Sequence, residues 1–257
     1  MKGVSRSITG IGDINYEVAL GNVPGVFAVN KFEFNPDIDT DTDPEDLWTN
    51  GGLWVPPTQA RVHNVVSTNA NDTSAGTGAR TITIFGLNAN FDLIQEELDL
   101  NGTSNVATTN EYIRIYRMSV SRFGSSATNA GDITATAVTD ATISAAIGAG
   151  NGQTEKAIYT IPNGFIGLLT QYSGFISRTA PSGANVGIGL YVRVFGAGGY
   201  TIKHRASISI DGNNPFENNF TTPIVIPSKS DVKLTCISVS DSNTGVGGGF
   251  NLIVVKQ

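Results

Sequence analysis

The run DVKLTCISVS, residues 231–240, sets Val232, Leu234 and Cys236 against Asp231, Lys233 and Thr235. Apolar residues at every second position turn one face of a strand toward a core and the other toward water. The same rhythm recurs in ARVHNVVS (60–67), RTITIFG (80–86), EYIRIYRMSV (111–120), EKAIYTI (155–161), GLYVRVFG (189–196), YTIKHRASISI (200–210) and GFNLIVVK (249–256). Turn residues separate these runs at the spacing of a sandwich or barrel. LNGT (100–103), PNGF (162–165) and IDGN (210–213) put Asn-Gly or Asp-Gly between apolar runs, a strong short-range hairpin signal. The fold class expected from this pattern is all-β: two β-sandwich, jelly-roll-like lobes with an irregular N-terminal arm.

Residues 1–59 carry few alternating runs, and we assign them to an arm or docking segment. The first β lobe is expected over 60–137 and the second over 154–257. Between them, VTDATISAAIGAGNGQ (138–153) is Ala-rich, with Asp140 or Thr142 as N-cap and Gly148 as stop, so a helical turn or a linker is expected there. The Gly-rich stretches GAGNG (148–152), FGAGGY (195–200) and GVGGGF (245–250) do not lie between a strand and a helix, as a dinucleotide loop requires, and read as turns and bulges.

Charged residues make up 15% of the chain, against roughly 25% in an average domain. The net charge of −6 argues against a nucleic-acid groove, which needs a basic patch. Arg114, Arg117 and Arg122, and Lys203, His204 and Arg205, fit solvated faces or interface charges better. Cys236 is the single cysteine and reads as a small buried hydrophobe. MKGVSRSITG has no apolar h-region and no 18-residue apolar run follows, so neither a secretory leader nor a membrane span is expected.

Asp37, Asp39, Asp41 and Asp43 stand at alternate positions, as at the start of an EF-hand loop. Counted from Asp37, position 6 is Thr42 and position 12 is Trp48; counted from Asp39, they are Pro44 and Asn50. Neither frame supplies the Gly turn and the bidentate Glu that wrap calcium. Asp46 with Glu45 or Glu17 could make a glycosidase pair only at a separation that sequence does not give. His63 and His204 are the only histidines and no nucleophile elbow is present. We expect no catalytic residues, no metal ligands and no cofactor.

DPEDLWTNGGLWVPP (43–57) holds both tryptophans. Gly51-Gly52 lets the chain reverse between them and Pro56-Pro57 stiffens the exit. Trp48, Trp54, Leu47 and Leu53 are the expected interface residues, because large aromatics anchor contacts at low entropic cost. Their docking surface is either the chain's own β domain or a neighbouring subunit. A carbohydrate-stacking role for Trp48 or Trp54 is the alternative.

Taken in order, DPEDLWTNGGLW, NDTSAGTGARTITIFGLNANFD, LDLNGTSNVATTNEYIRIYRM, GSSATNAGDIT, AIYTIPNGFIGLLT, VRVFGAGGYTIKH and GFNLIVV resemble a family of tailed-bacteriophage virion structural proteins of marine and environmental phages. The resemblance covers roughly 25–257. It implies a β-sandwich component of the particle, located in the virion after assembly in the host cytoplasm, and brings no catalytic motif. The component could be a head decoration protein, a fibre base, a collar or a tail protein. We expect a capsid decoration or cement protein that contacts copies of itself, as a trimer or ring, and the major capsid protein or other virion proteins. A neck, collar or tail component is the structural alternative. A host-receptor or glycan-binding module comes from another class, and a depolymerase stands last.

Overall fold

The computed structural model describes residues 14–41, 44–177 and 183–257. Among these residues the protein is almost entirely β, and every strand pairing is antiparallel. A short helix, α1 (Ile14–Ala19), leads into β1 (Val26–Ile38), and β2 (Glu45–Asp46) follows. The next strands are β3 (His63–Ser67), β4 (Ala79–Leu87), β5 (Leu93–Asp99), β6 (Val106–Ala107), β7 (Arg114–Phe123), β8 (Ile133–Ala137) and β9 (Ile143–Ile147). They form two sheets, β6-β3-β8-β9 and β5-β4-β7. Val65, Ile82, Ile84, Tyr112, Ile115, Met118, Ile133 and Ile147 fill the core these sheets share.

The remaining strands are β10 (Ile158–Thr160), β11 (Phe165–Ser177), β12 (Asn185–Arg193), β13 (Thr201–Ser209), β14 (Phe216–Ile226), β15 (Asp231–Val239) and β16 (Thr244–Lys256). Here the sheets are β1-β16-β11-β14 and β10-β15-β12-β13, with β2 also pairing β15. Leu169, Tyr172, Ile188, Leu190, Val232, Leu234, Cys236, Phe250 and Leu252 build a second core. The alternation in DVKLTCISVS turns Val232, Leu234 and Cys236 into that core, as its period requires.

Three expectations need correction. Residues 26–38 do not belong to an arm: β1 pairs along its length with β16, from Val26 opposite Val255 to Ile38 opposite Thr244. The segment β3–β9 is therefore inserted into the other sheet pair, between β2 and β10. Its own strand order also differs from that of the later strands, so the two lobes do not repeat one topology. Residues 138–153 are neither helix nor linker, because β9 lies there and pairs with β8. Ala145 packs into the core, and next to it the ladder shifts register between Ala135 and Thr136. Finally, GVGGGF is not a turn but the interior of β16.

The Asn-Gly and Asp-Gly turns are in place, yet they do not close hairpins. PNGF joins β10 to β11 and IDGN joins β13 to β14, and in each case the two strands lie in different sheets. The sequence-adjacent pairs are β4–β5, β8–β9 and β12–β13.

Candidate functional site

The tryptophan segment lies in the seam between the two sheet pairs. Leu47 N donates to Leu234 O at 2.9 Å and Ala157 N donates to Leu47 O at 2.9 Å, so Leu47 is clasped from both sides. Trp48 bridges to Lys156, and Thr49 N donates to Glu155 O at 3.1 Å. The reversal at Gly51 and Gly52 uses positive φ at both residues, 68° and 66°. There Gly52 N donates to a Glu45 carboxylate oxygen at 2.8 Å and Trp48 Nε1 donates to Gly52 O at 3.0 Å.

Trp48 and Trp54 pack together with Ile143 of β9 and Ile158 of β10, one residue from each side of the seam. Trp48, Trp54 and Leu47 are buried within their own chain, whereas Leu53 is 54% exposed. The two indoles are thus unavailable as sugar-stacking platforms in this arrangement. Of the four expected interface residues, Leu53 presents itself to solvent; Val55 and Phe195, which line one cleft together, are exposed as well.

Two cations border the indoles. Lys156 Nζ stands 4.3 Å from the centre of the Trp54 ring and 5.9 Å from that of Trp48, and the Arg114 guanidinium lies 5.5 Å from the Trp54 ring. Lys156 is buried and donates to Ser144 O at 2.6 Å and Ile115 O at 3.1 Å. Burial, reinforced by Lys31 and Arg114, pushes its amine well below the usual lysine range. Arg114, read from the sequence as a charge on a solvated face or an interface, is buried. Its Nε and Nη2 grip Asp231 at 2.9 and 3.1 Å. Arg193 Nε binds the same carboxylate at 3.0 Å and Thr160 Oγ1 donates to it at 2.5 Å. Burial alone would raise the Asp231 carboxyl, but the Arg114 charge and these hydrogen bonds hold it below the ordinary aspartate value. Asp46, fully buried, accepts from Lys233 Nζ at 2.7 Å, Thr235 Oγ1 at 2.7 Å and Trp54 N at 2.8 Å.

These contacts place the acids of the opening run. Glu45 and Asp46 serve the seam, and Glu17 accepts from Asn22 Nδ2 at 2.8 Å in the α1 region. Asp39 accepts from Asn243 N at 2.8 Å, and Asp43 lies outside the described residues. His63 Nε2 sits 2.8 Å from Ser144 Oγ, the spacing of a nucleophile and its base. Both side chains are fully buried, and burial pushes the imidazole down to about 4, so the ring is neutral and has no route to a substrate in this conformation. His204 Nδ1 lies 2.6 Å from Tyr172 Oη on the edge strand β13.

The seam also borders open space. A cavity of about 550 Å³ runs between Phe27, Val29 and Lys31 of β1 and Phe85, Tyr116, Arg117 and Tyr159. A second, of about 430 Å³, is lined by Pro56, Arg114, Arg193, Phe195, Lys229 and Asp231. The arginines in it are committed to Asp231.

No family model and no curated protein matches this chain. Among solved structures, that of infectious bursal disease virus Gt strain aligns with 94% of this chain and 78% of its own, at 12% identity and a TM-score of 0.19. A likeness at that score carries no argument about fold or function.

Proposed function

We propose that the protein is a non-enzymatic structural component of a tailed-bacteriophage particle, serving as a decoration protein on the head surface. One observation supports this reading above others. Numbered one to eight, β1 and β10–β16 run 1-8-3-6 in one sheet and 2-7-4-5 in the other. We read that order as a jelly roll, two interleaved Greek keys, an architecture common to viral capsid and lectin domains. The strands β3–β9 form a second, differently connected sandwich inserted after its first strand. The buried ion pairs and indoles couple the two into a stiff block suited to bearing load. Leu53, Val55 and Phe195 supply exposed apolar contacts for a neighbour. Closed self-assembly as a trimer or ring completes the proposal.

Copy number tests it. Densitometry of purified particles should give hundreds of copies per head, and mild denaturant should shed the protein while tails stay attached. A count on the order of a dozen would transfer the protein to the neck or tail.

A further inference from the structure

We propose that the outer face of the sheet β1-β16-β11-β14 is a binding groove for a neutral glycan. Strand register sets Asn30 of β1 opposite Asn251 of β16, Asn251 opposite Gln171 of β11, and Gln171 opposite Asn219 of β14. One amide per strand therefore crosses the whole sheet, a span of roughly 14 Å at ordinary strand spacing. Asn30 Nδ2 donates to Asn251 Oδ1 at 2.6 Å, and Asn251 Nδ2 donates to Gln171 Oε1. These bonds orient Asn30, Asn251 and Gln171 and use neither Asn30 Oδ1 nor Gln171 Nε2, while Asn219 Nδ2 donates to Glu217 Oε1 at 2.6 Å.

Cavities of about 280 and 470 Å³ flank the row, and both are lined by Asn30, Gln171 and Asn251. The smaller adds Phe32, Ser173, Phe175 and the backbone of Gly248 and Gly249. The larger adds Thr170, Asn219, Ile253 and, from α1, Asn15 and Val18. Lys31 and Glu33 border the smaller one from buried positions, and Glu155 stands at its edge.

Strand formation does not account for this face. Asn is depleted from strands, yet each strand of the sheet places an amide in the same row. Glycine inside a strand weakens it and marks close approach of another group. In β16, Gly247 makes room for the phenyl ring of Phe175 and Gly245 for that of Phe34, and the two rings stack with centroids 5.8 Å apart and planes 7° apart. Gly249, between Phe32 and Ser173, presents bare backbone to the smaller cavity, and a Cβ there would meet Lys31 O at 2.3 Å. The result is a trough with paired donors and acceptors in its middle and part-exposed phenyl rings at one end, Phe32 at 36% and Phe175 at 39%. Amides that both donate and accept match sugar hydroxyls, and a phenyl face matches the C–H face of a pyranose. The row itself offers no counter-charge to an acidic ligand. The groove differs from the tryptophan segment, whose indoles are buried, and its assignment does not depend on the protein's place in a particle.

The test uses the full chain on an array of neutral oligosaccharides of glucose, mannose, galactose and N-acetylhexosamines, with uronic and sialylated glycans alongside. Calorimetric titration follows on the best neutral probe. A neutral glycan should bind with a Kd of about 1 mM or tighter. Gln171→Ala and Phe32→Ala should each weaken it about tenfold or more at unchanged melting temperature. Phe195→Ala, in the other cleft, should leave binding unchanged. Should Gln171→Ala misfold, Asn30→Ala at an exposed position replaces it with the same expected loss. The proposal fails if no neutral probe binds, if only acidic glycans bind, if EDTA abolishes binding, or if the variants bind like the parent.

Discussion

Asp231 holds two arginines at once, and its removal should show what that is worth. Asp231→Asn leaves the buried Arg114 without its counter-charge, an arrangement that costs about 3–5 kcal/mol. Urea unfolding of parent and variant measures it. Because the folded carboxyl titrates below the ordinary aspartate value, its contribution is present above the unfolded pKa and is lost as pH falls through the folded one. The parent should therefore lose stability in acid more steeply than Asp231→Asn. Trp54→Ala removes an indole wedged between Lys156 and Arg114 and should cost about 3–5 kcal/mol. Glu33 has the opposite sign. Both its carboxyl oxygens are buried without a partner, and burial, with Glu155 nearby, pushes it up to about 9. The folded state keeps a proton that the unfolded chain gives up above its ordinary value, so stability falls as pH rises from there toward 9. Lys31, pushed down to about 7 by burial, adds an opposing slope above that pH. Glu33→Gln should thus flatten the fall between pH 5 and 7, a slope of up to about 1.4 kcal/mol per pH unit, as read from thermal melts.

At the scale of elements, β16 carries the steric argument. A Cβ at Gly247 would lie 2.2 Å from the Phe175 ring, so Gly247→Ala should cost about 1–3 kcal/mol. Adding Phe175→Ala should recover part of the loss, and a double-mutant cycle should show the two to be non-additive. The same scale explains what could be read in advance. β12, β13 and β15 announced themselves because their inward positions are cleanly apolar or their runs long. β1 did not, because Lys31 and Glu33 occupy inward positions after Phe27 and Val29 and break the alternation. β11 hides its period through the register shift between Leu169 and Gln171, which moves later side chains to the other face. Asn-Gly marked turns correctly but could not say whether the chain returns beside itself or crosses to the facing sheet.

The whole molecule depends on a seam built from distant residues. Arg114 meets Asp231, Lys31 Nζ donates to Tyr116 O at 2.7 Å, and the Tyr116 and Tyr159 rings meet edge-on at 5.2 Å. Such coupling should make both sheet pairs melt in one calorimetric transition. Trp54→Ala should separate that transition into two, with hydrogen exchange rising first in one sheet pair. A parent protein that already melts in two steps would contradict the account.

The sequence by itself determined the β class and singled out the tryptophan segment, since side-chain alternation and composition are local properties of the chain. Only the tertiary structure decided that β1 belongs with β16, that Trp48 and Trp54 meet Lys156 and Arg114, and that four amides align across one sheet. Those facts rest on the register between strands that lie at opposite ends of the described chain, with Val26 opposite Val255. Register is fixed by the joint packing of both sheet faces, and no single stretch of sequence contains it.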